Sequence, residues 1–110
     1  MEEDQDHFNI LRTIEKKPDS TQRELASKLG FSLGKLNYCL KALKQKGYVK
    51  INNFRKSKKK INYFYKLTPY GISEKTKLTL NFMKRKMHEY DELKKELKKI
   101  KNNDQKNNTE

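Results

Sequence analysis

The sequence has 110 residues, of which 33% are hydrophobic and 37% are charged, and its formal net charge at pH 7 is +13. This length fits a single domain, and a domain this small buries only a modest part of its surface. No run of apolar residues exceeds three, which excludes a membrane span and a signal-peptide core. The single cysteine, Cys39, excludes an internal disulfide and fits a reducing cytosol. We therefore expect a cytoplasmic protein in which Cys39 is a packing residue.

The positive charge is concentrated in the middle of the chain. Residues 25–73 contain twelve Lys or Arg and no acid, whereas residues 1–24 contain four bases and seven acids, and residues 74–110 eleven bases and seven acids. A general bias toward lysine would add bases everywhere and does not explain the missing acids. The acid-free block therefore predicts a nucleic acid as the partner.

Three helices are predicted in the first half of the chain. The first runs from Asp4 to Lys17 and ends at Pro18. The second lies within residues 20–30, where Thr21 begins a capping box and Gly30 is a typical left-handed stop. Ser32 is a good N-cap for a third helix over residues 33–46. Two short helices joined by about three residues around a glycine indicate a helix-turn-helix.

A β-hairpin follows the helices. Alternating apolar residues predict strands over residues 48–54, with Val49 and Ile51 on one face, and over residues 61–68. Pro69 and Gly71 are expected to break the second strand. Three helices and a hairpin predict a mainly α fold with a small β-hairpin, that is, a winged helix-turn-helix over residues 1–71.

The last predicted helix begins near Ser73 and runs to about Lys101. Its apolar residues recur at gaps of four, three, three, four and three, close to a coiled-coil repeat. A helix this polar cannot bury such a stripe alone, so we predict a dimerisation helix over residues 72–101 and a disordered tail over 102–110. The predicted dimerisation residues are Met83, Met87, Tyr90, Leu93, Leu97 and Ile100.

Candidate DNA-binding residues fall into three groups. The first group lies on the third helix, opposite its leucine stripe, where amide, hydroxyl and ammonium groups suit the major groove. The second is the tip of the hairpin, where an arginine suits a narrow minor groove and lysines suit phosphates. The third is the start of the second helix, where a phosphate could bind or Thr21 could simply cap the helix. The groups comprise Ser32, Gly34, Lys35, Asn37, Tyr38, Lys41 and Gln45; Arg55, Lys56, Lys58, Lys59 and Lys60; and Thr21, Gln22 and Arg23.

Other functions find less support in the sequence. The two histidines lie far apart, and there is no Cys/His metal spacing and no glycine-rich phosphate loop, so we expect no enzyme, metal or cofactor. A basic RNA-binding or ribosome-associated module stays an alternative, since RNA recognition by shape needs neither a palindrome nor a dimer. A further alternative is an interaction module whose long helix binds a partner protein.

Several motifs together resemble those of a known family: "RELASKLGFSLGKLNYCLKALKQKGYVK", "NFR", "YFYKLTPYGISEK" and "KMHEYDELKKEL". Over residues from about 20 to 97 the chain resembles the MarR family of winged-helix repressors, most of all its branch of EPS-associated (exopolysaccharide-associated) transcriptional regulators. The resemblance implies a cytoplasmic, dimeric regulator that binds double-stranded DNA and controls a polysaccharide gene cluster. The chain lacks the extra helices that build a ligand pocket in the broader family, which argues against a small-molecule effector.

Overall fold

The computed structural model describes the backbone of residues 2–57 and 60–108 and the side chains of residues 3–51 and 64–104. It confirms the predicted fold class, a winged helix-turn-helix followed by a long helix. By their contacts, the residues form two compact units, Met1–Leu78 and Thr79–Glu110. None of the helices in the described residues combines the length and the hydropathy that a membrane-spanning helix requires. The elements in chain order are α1 (Glu2–Lys16), α2 (Gln22–Leu29), α3 (Leu33–Gln45), β1 (Val49–Ser57), β2 (Lys60–Leu67) and α4 (Pro69–Asn108).

The core of the first unit is built by the apolar faces of the three short helices, as their periodicity predicts. Each fully buried leucine or isoleucine contributes about 1.5–3 kcal/mol to the free energy of unfolding. The base of the hairpin closes the core through Val49 and Leu67, which are buried. The core holds the leucine side of α3, and the opposite side of this helix faces solvent. The largest fully buried side chains are Ile10, Leu11, Leu25, Leu36 and Leu43.

The turn between α2 and α3 is fixed by local hydrogen bonds and one glycine. Thr21 Oγ1 accepts from the Glu24 backbone N–H at 3.2 Å, which confirms its capping role. Gly30 ends α2 with φ of 72°, a left-handed conformation that glycine adopts without steric cost. Ser32 Oγ then accepts from the Lys35 backbone N–H at 3.1 Å and caps α3. These short-range interactions set where α3 begins.

The hairpin becomes exposed soon after its base. Val49 is 2% exposed, whereas Ile51, two residues further along β1, is 37% exposed. The antiparallel register is irregular between Ile51 and Asn53, where a β-bulge lies. A bulge bends its strand and increases its twist, so the hairpin leaves the core soon after its base.

The start of α4 differs from the prediction. The helix begins at Pro69, four residues before Ser73. Thr68 caps it, because its Oγ1 accepts from the Gly71 backbone N–H at 2.9 Å. Proline is favoured at the first position of a helix, where its missing N–H would have no partner in any case. Thr68 Oγ1 also donates to the Gly47 carbonyl at 2.5 Å, which ties the start of α4 to the turn before β1.

At its other end, α4 continues to Asn108, into the segment that was expected to be disordered. Residues 102–108 contain no proline and no glycine, so no residue in the segment interrupts the helical hydrogen bonds. The polar composition that suggested disorder is therefore compatible with a helix here.

His7 is buried in α1, which its sequence position does not reveal. The residue is 5% exposed, and its Nε2 has no hydrogen-bond partner among the described residues. Burial, reinforced by the charge of Lys46, lowers the pKa of His7, against the opposing charges of Glu3, Asp4 and Asp6. Glu3 Oε1 lies 3.9 Å from Nε2. The folded protein therefore favours the neutral imidazole.

We expect stability to fall as the pH drops below about 6.5, the ordinary pKa of an unfolded histidine. In that range His7 binds a proton more readily in the unfolded chain than in the folded chain. The free energy of unfolding therefore rises with pH. The variant His7→Phe removes this group while keeping an apolar ring. Urea titrations of both proteins at a series of pH values should show a weaker pH dependence for the variant. Parallel curves would contradict a shifted pKa at His7.

Candidate nucleic-acid interface

The outer face of α3, formed by Gly34, Lys35, Asn37, Tyr38, Lys41 and Gln45, lies opposite its buried leucines. All six residues are exposed, and α3 contains no acidic residue. Tyr38 is 74% exposed, whereas tyrosine is on average a partly buried residue. Leu36, Cys39, Leu40 and Leu43 hold the opposite side of the helix in the core. This face can present donors, acceptors and one aromatic ring to a ligand outside the protein.

Lys35, on the outer face of α3, has partners for its ammonium group inside the protein. Its Nζ lies 3.2 Å from Asp6 Oδ2 and 4.2 Å from the centre of the Phe31 ring. Asp6 belongs to the acidic start of α1, so this ion pair links α1 to the beginning of α3. A phosphate would have to compete with Asp6 for this lysine. The spacing of residues on α3 alone did not predict this contact.

The start of α2 carries Thr21, Gln22 and Arg23, and the three side chains have different surroundings. Thr21 caps the helix, and Gln22 Nε2 donates to the Tyr65 hydroxyl at 3.2 Å, which connects α2 to β2. Arg23 is exposed and borders an open surface cleft of about 400 Å³. Of the three, Arg23 is the best placed to contact a phosphate. The cleft is lined by Lys17, Ser20, Arg23, Glu24, Ser27 and Lys28.

The hairpin carries a pair of lysines that the sequence analysis did not single out. Lys50 and Lys66 are directly opposite each other in the register, and both are exposed. Like charges in this arrangement destabilise a sheet. The cost disappears when an anion lies across both strands, so the pair supports a polyanionic ligand. The two lysines are 16 positions apart in the sequence, and only the pairing of the strands shows that they are neighbours.

All five predicted wing residues lie outside the part of the chain whose side chains the structure describes. Lys58 and Lys59 lie outside the described residues, and the side chains of Arg55, Lys56 and Lys60 lie outside them as well. Their backbone belongs to β1 and β2, with Arg55 opposite Asn62 and Lys56 opposite Ile61. Their roles at the tip stay predictions.

Replacing Lys66 with glutamate should stabilise the hairpin while weakening nucleic-acid binding. Lys66→Glu converts a repulsive cross-strand pair into an attractive one and should add about 0.5 kcal/mol to the free energy of unfolding. The control Lys66→Ala removes the repulsion without adding an attraction, so its stability should be intermediate. Urea titration measures the first effect and fluorescence anisotropy with labelled duplex the second. A variant that is both less stable and unchanged in binding would contradict this role.

Cys39 does not show the properties of a reactive thiol. The side chain is buried, and burial together with the charge of Asp6 raises the pKa of its thiol, with Lys35 opposing. A reactive cysteine needs exposure and a lowered pKa. Among the residues whose side chains are described, no group of three or more His, Cys, Asp or Glu could hold a metal ion.

Comparison with known proteins agrees with this architecture. The family model described as winged helix-turn-helix DNA-binding matches residues 4–50, which include α1, the helix-turn-helix and the first residues of β1. The fold is that of a winged helix-turn-helix. No protein of curated function matches the sequence.

Solved structures of bacterial regulators share this winged fold. One is Staphylococcus aureus MarR in complex with salicylate and kanamycin, at 23% identity and a TM-score of 0.65, covering 78% of this chain and 56% of that chain. Another is Streptococcus pneumoniae FabT in complex with DNA, at 22% identity and a TM-score of 0.54, covering 79% of this chain and 59% of that chain. A third is the transcriptional regulator Tm0710 from Thermotoga maritima, at 20% identity and a TM-score of 0.54, covering 94% of this chain and 78% of that chain. The chain thus spans less than two thirds of the MarR and FabT chains, and the likeness establishes the fold.

Proposed function

We propose that this winged helix-turn-helix protein is a transcription regulator of the MarR type that binds double-stranded DNA. The observation that carries the proposal is the outer face of α3, which is exposed and contains no acid. In a helix-turn-helix, the second helix is the one that enters the major groove. That helix is α3 here, and it begins at a well-formed cap on Ser32.

The charges around α3 support the same ligand. Lys50 and Lys66 repel each other across the hairpin unless an anion lies over them. Arg23 is exposed at the start of α2, where phosphates are commonly bound. FabT, whose structure is similar, was solved in complex with DNA. We assign base contacts to the outer face of α3 and phosphate contacts to Arg23 and the hairpin.

We further propose that the protein acts as a homodimer in the cytoplasm, where the chromosome is accessible. The support is the exposed apolar stripe of α4, from Met83 to Ile100, which a second copy would cover. Two-fold symmetry then requires a near-palindromic operator with half-sites about 34 Å apart. The sequence resemblance supports exopolysaccharide genes as the target.

Selection of bound duplexes from a random pool tests the proposal. We expect recovery of an inverted repeat, together with stronger competition by duplex DNA than by structured RNA. Equal competition by RNA, with no repeat recovered, would favour the RNA-binding alternative, because RNA is recognised by shape and needs no palindrome. Absence of binding to any nucleic acid at physiological salt would overturn the proposal and favour a protein-interaction module.

A further inference from the structure

The C-terminal part of α4 carries an uninterrupted heptad pattern between Tyr90 and Ile100. Tyr90, Leu93, Leu97 and Ile100 follow gaps of three, four and three, which makes them the a, d, a and d positions of two heptads. All four are more than half exposed, from 51% at Leu97 to 64% at Tyr90. An apolar stripe of this kind on a charged helix indicates an interaction surface.

The residues beside this stripe are charged in a regular way. Glu89 and Glu96 occupy the g positions, and Lys94 and Lys101 occupy the e positions. All four are exposed. Glu89 lies 3.6 Å from Lys86 within the same helix, an exposed pair that contributes little to stability. Charges at e and g determine the partner and the orientation of a coiled coil.

The two possible orientations of a second copy place these charges differently. In a parallel pair, each g residue meets the e residue five positions later on the other helix, so Glu89 meets Lys94 and Glu96 meets Lys101. Two-fold symmetry repeats both attractions. In an antiparallel pair with the same apolar layers, e meets e and g meets g, which brings Lys94 against Lys94 and Glu96 against Glu96. Only the parallel arrangement is electrostatically complementary.

We propose that α4 pairs with α4 of a second copy as a parallel, in-register coiled coil, aligned by the Glu89–Lys94 and Glu96–Lys101 pairs between the helices. This inference rests on the proposed homodimer and adds its orientation and register. The core is short, because Lys86 takes the d position before Tyr90 and Asp104 the a position after Ile100. The coil is therefore a reversible contact whose strength depends on its flanking charges.

Charge reversal in the full-length protein tests the orientation. Glu96→Lys and Lys101→Glu each replace two attractions with two repulsions in a parallel pair, and each should weaken dimerisation about tenfold. The double variant Glu96→Lys/Lys101→Glu restores opposite charges and should return close to the original dimerisation constant. Analytical ultracentrifugation over a concentration series measures all four proteins. Single variants that dimerise as well as the original protein would overturn the parallel arrangement.

Disulfide cross-linking gives a second measurement that does not alter the apolar core. In a Cys39→Ala background, Asp104→Cys places two thiols at the same a layer of a parallel pair, within reach of a disulfide. The control Lys95→Cys lies at the outward f position and should not cross-link. If the Asp104→Cys variant dimerises but forms no disulfide between the two copies, the parallel arrangement is overturned while the homodimer stands. A protein that stays monomeric at every concentration would instead overturn the proposed homodimer and this inference with it.

Discussion

Gly71→Ala should lower the free energy of unfolding by roughly 3 kcal/mol, because the added methyl group has no room and must displace backbone. A Cβ at Gly71 would overlap the carbonyl oxygen of Tyr48 and lie 2.8 Å from its carbonyl carbon. The same carbonyl accepts from the Thr68 backbone N–H at 3.0 Å. Relief of the overlap therefore pulls the first turn of α4 away from the base of the hairpin.

Gly34 provides a matched control for this prediction. It also lies in the first turn of a helix, but a Cβ there meets no atom within 4 Å. Gly34→Ala should leave stability unchanged or raise it by up to about 1 kcal/mol, because alanine favours the helix. Urea titration followed by circular dichroism at a helical wavelength compares the two variants directly. Equal midpoints for Gly71→Ala and the original protein would show that the first turn of α4 adjusts without cost.

The parts of the fold that depend on neighbouring residues could be predicted from the sequence. The caps at Thr21 and Ser32 and the glycine stop at Gly30 are short-range patterns, and the structure confirms each of them. The start of α4 was predicted incorrectly although its pattern is also local. Thr68 followed by Pro69 is a cap followed by a favoured first residue, but Pro69 and Gly71 were expected only to break the second strand.

The interactions that the sequence did not reveal join residues far apart in the chain. Lys35 pairs with Asp6, Gln22 bonds to Tyr65, and Lys50 lies opposite Lys66. Their existence depends on helix packing and on the register of the hairpin, which the bulge after Ile51 changes. The exposure of the outer face of α3 could therefore be predicted, but not which charges near it are already compensated within the protein.

That distinction decides which variants test base recognition by α3. Asn37 and Tyr38 are exposed on the outer face of α3, so either side chain can be shortened without opening the core. Lys35 is a poor choice, because its replacement also removes the ion pair to Asp6 and would change α1. Asn37→Ala and Tyr38→Ala should therefore leave the free energy of unfolding within about 0.5 kcal/mol of the original.

Each of these two variants should lower the preference for the selected operator over random duplex by roughly 10- to 100-fold, because direct base contacts contribute about 1–3 kcal/mol of discrimination. Binding to random duplex should persist, since it depends on phosphate contacts from lysine and arginine. Lys66→Glu provides the contrast, because it should weaken operator and random duplex alike and reduce the dependence of affinity on salt. Competition titrations with both duplexes at several salt concentrations separate the two behaviours. If Asn37→Ala and Tyr38→Ala weakened both duplexes equally, the outer face of α3 would contact only the DNA backbone, and sequence recognition would have to come from the hairpin.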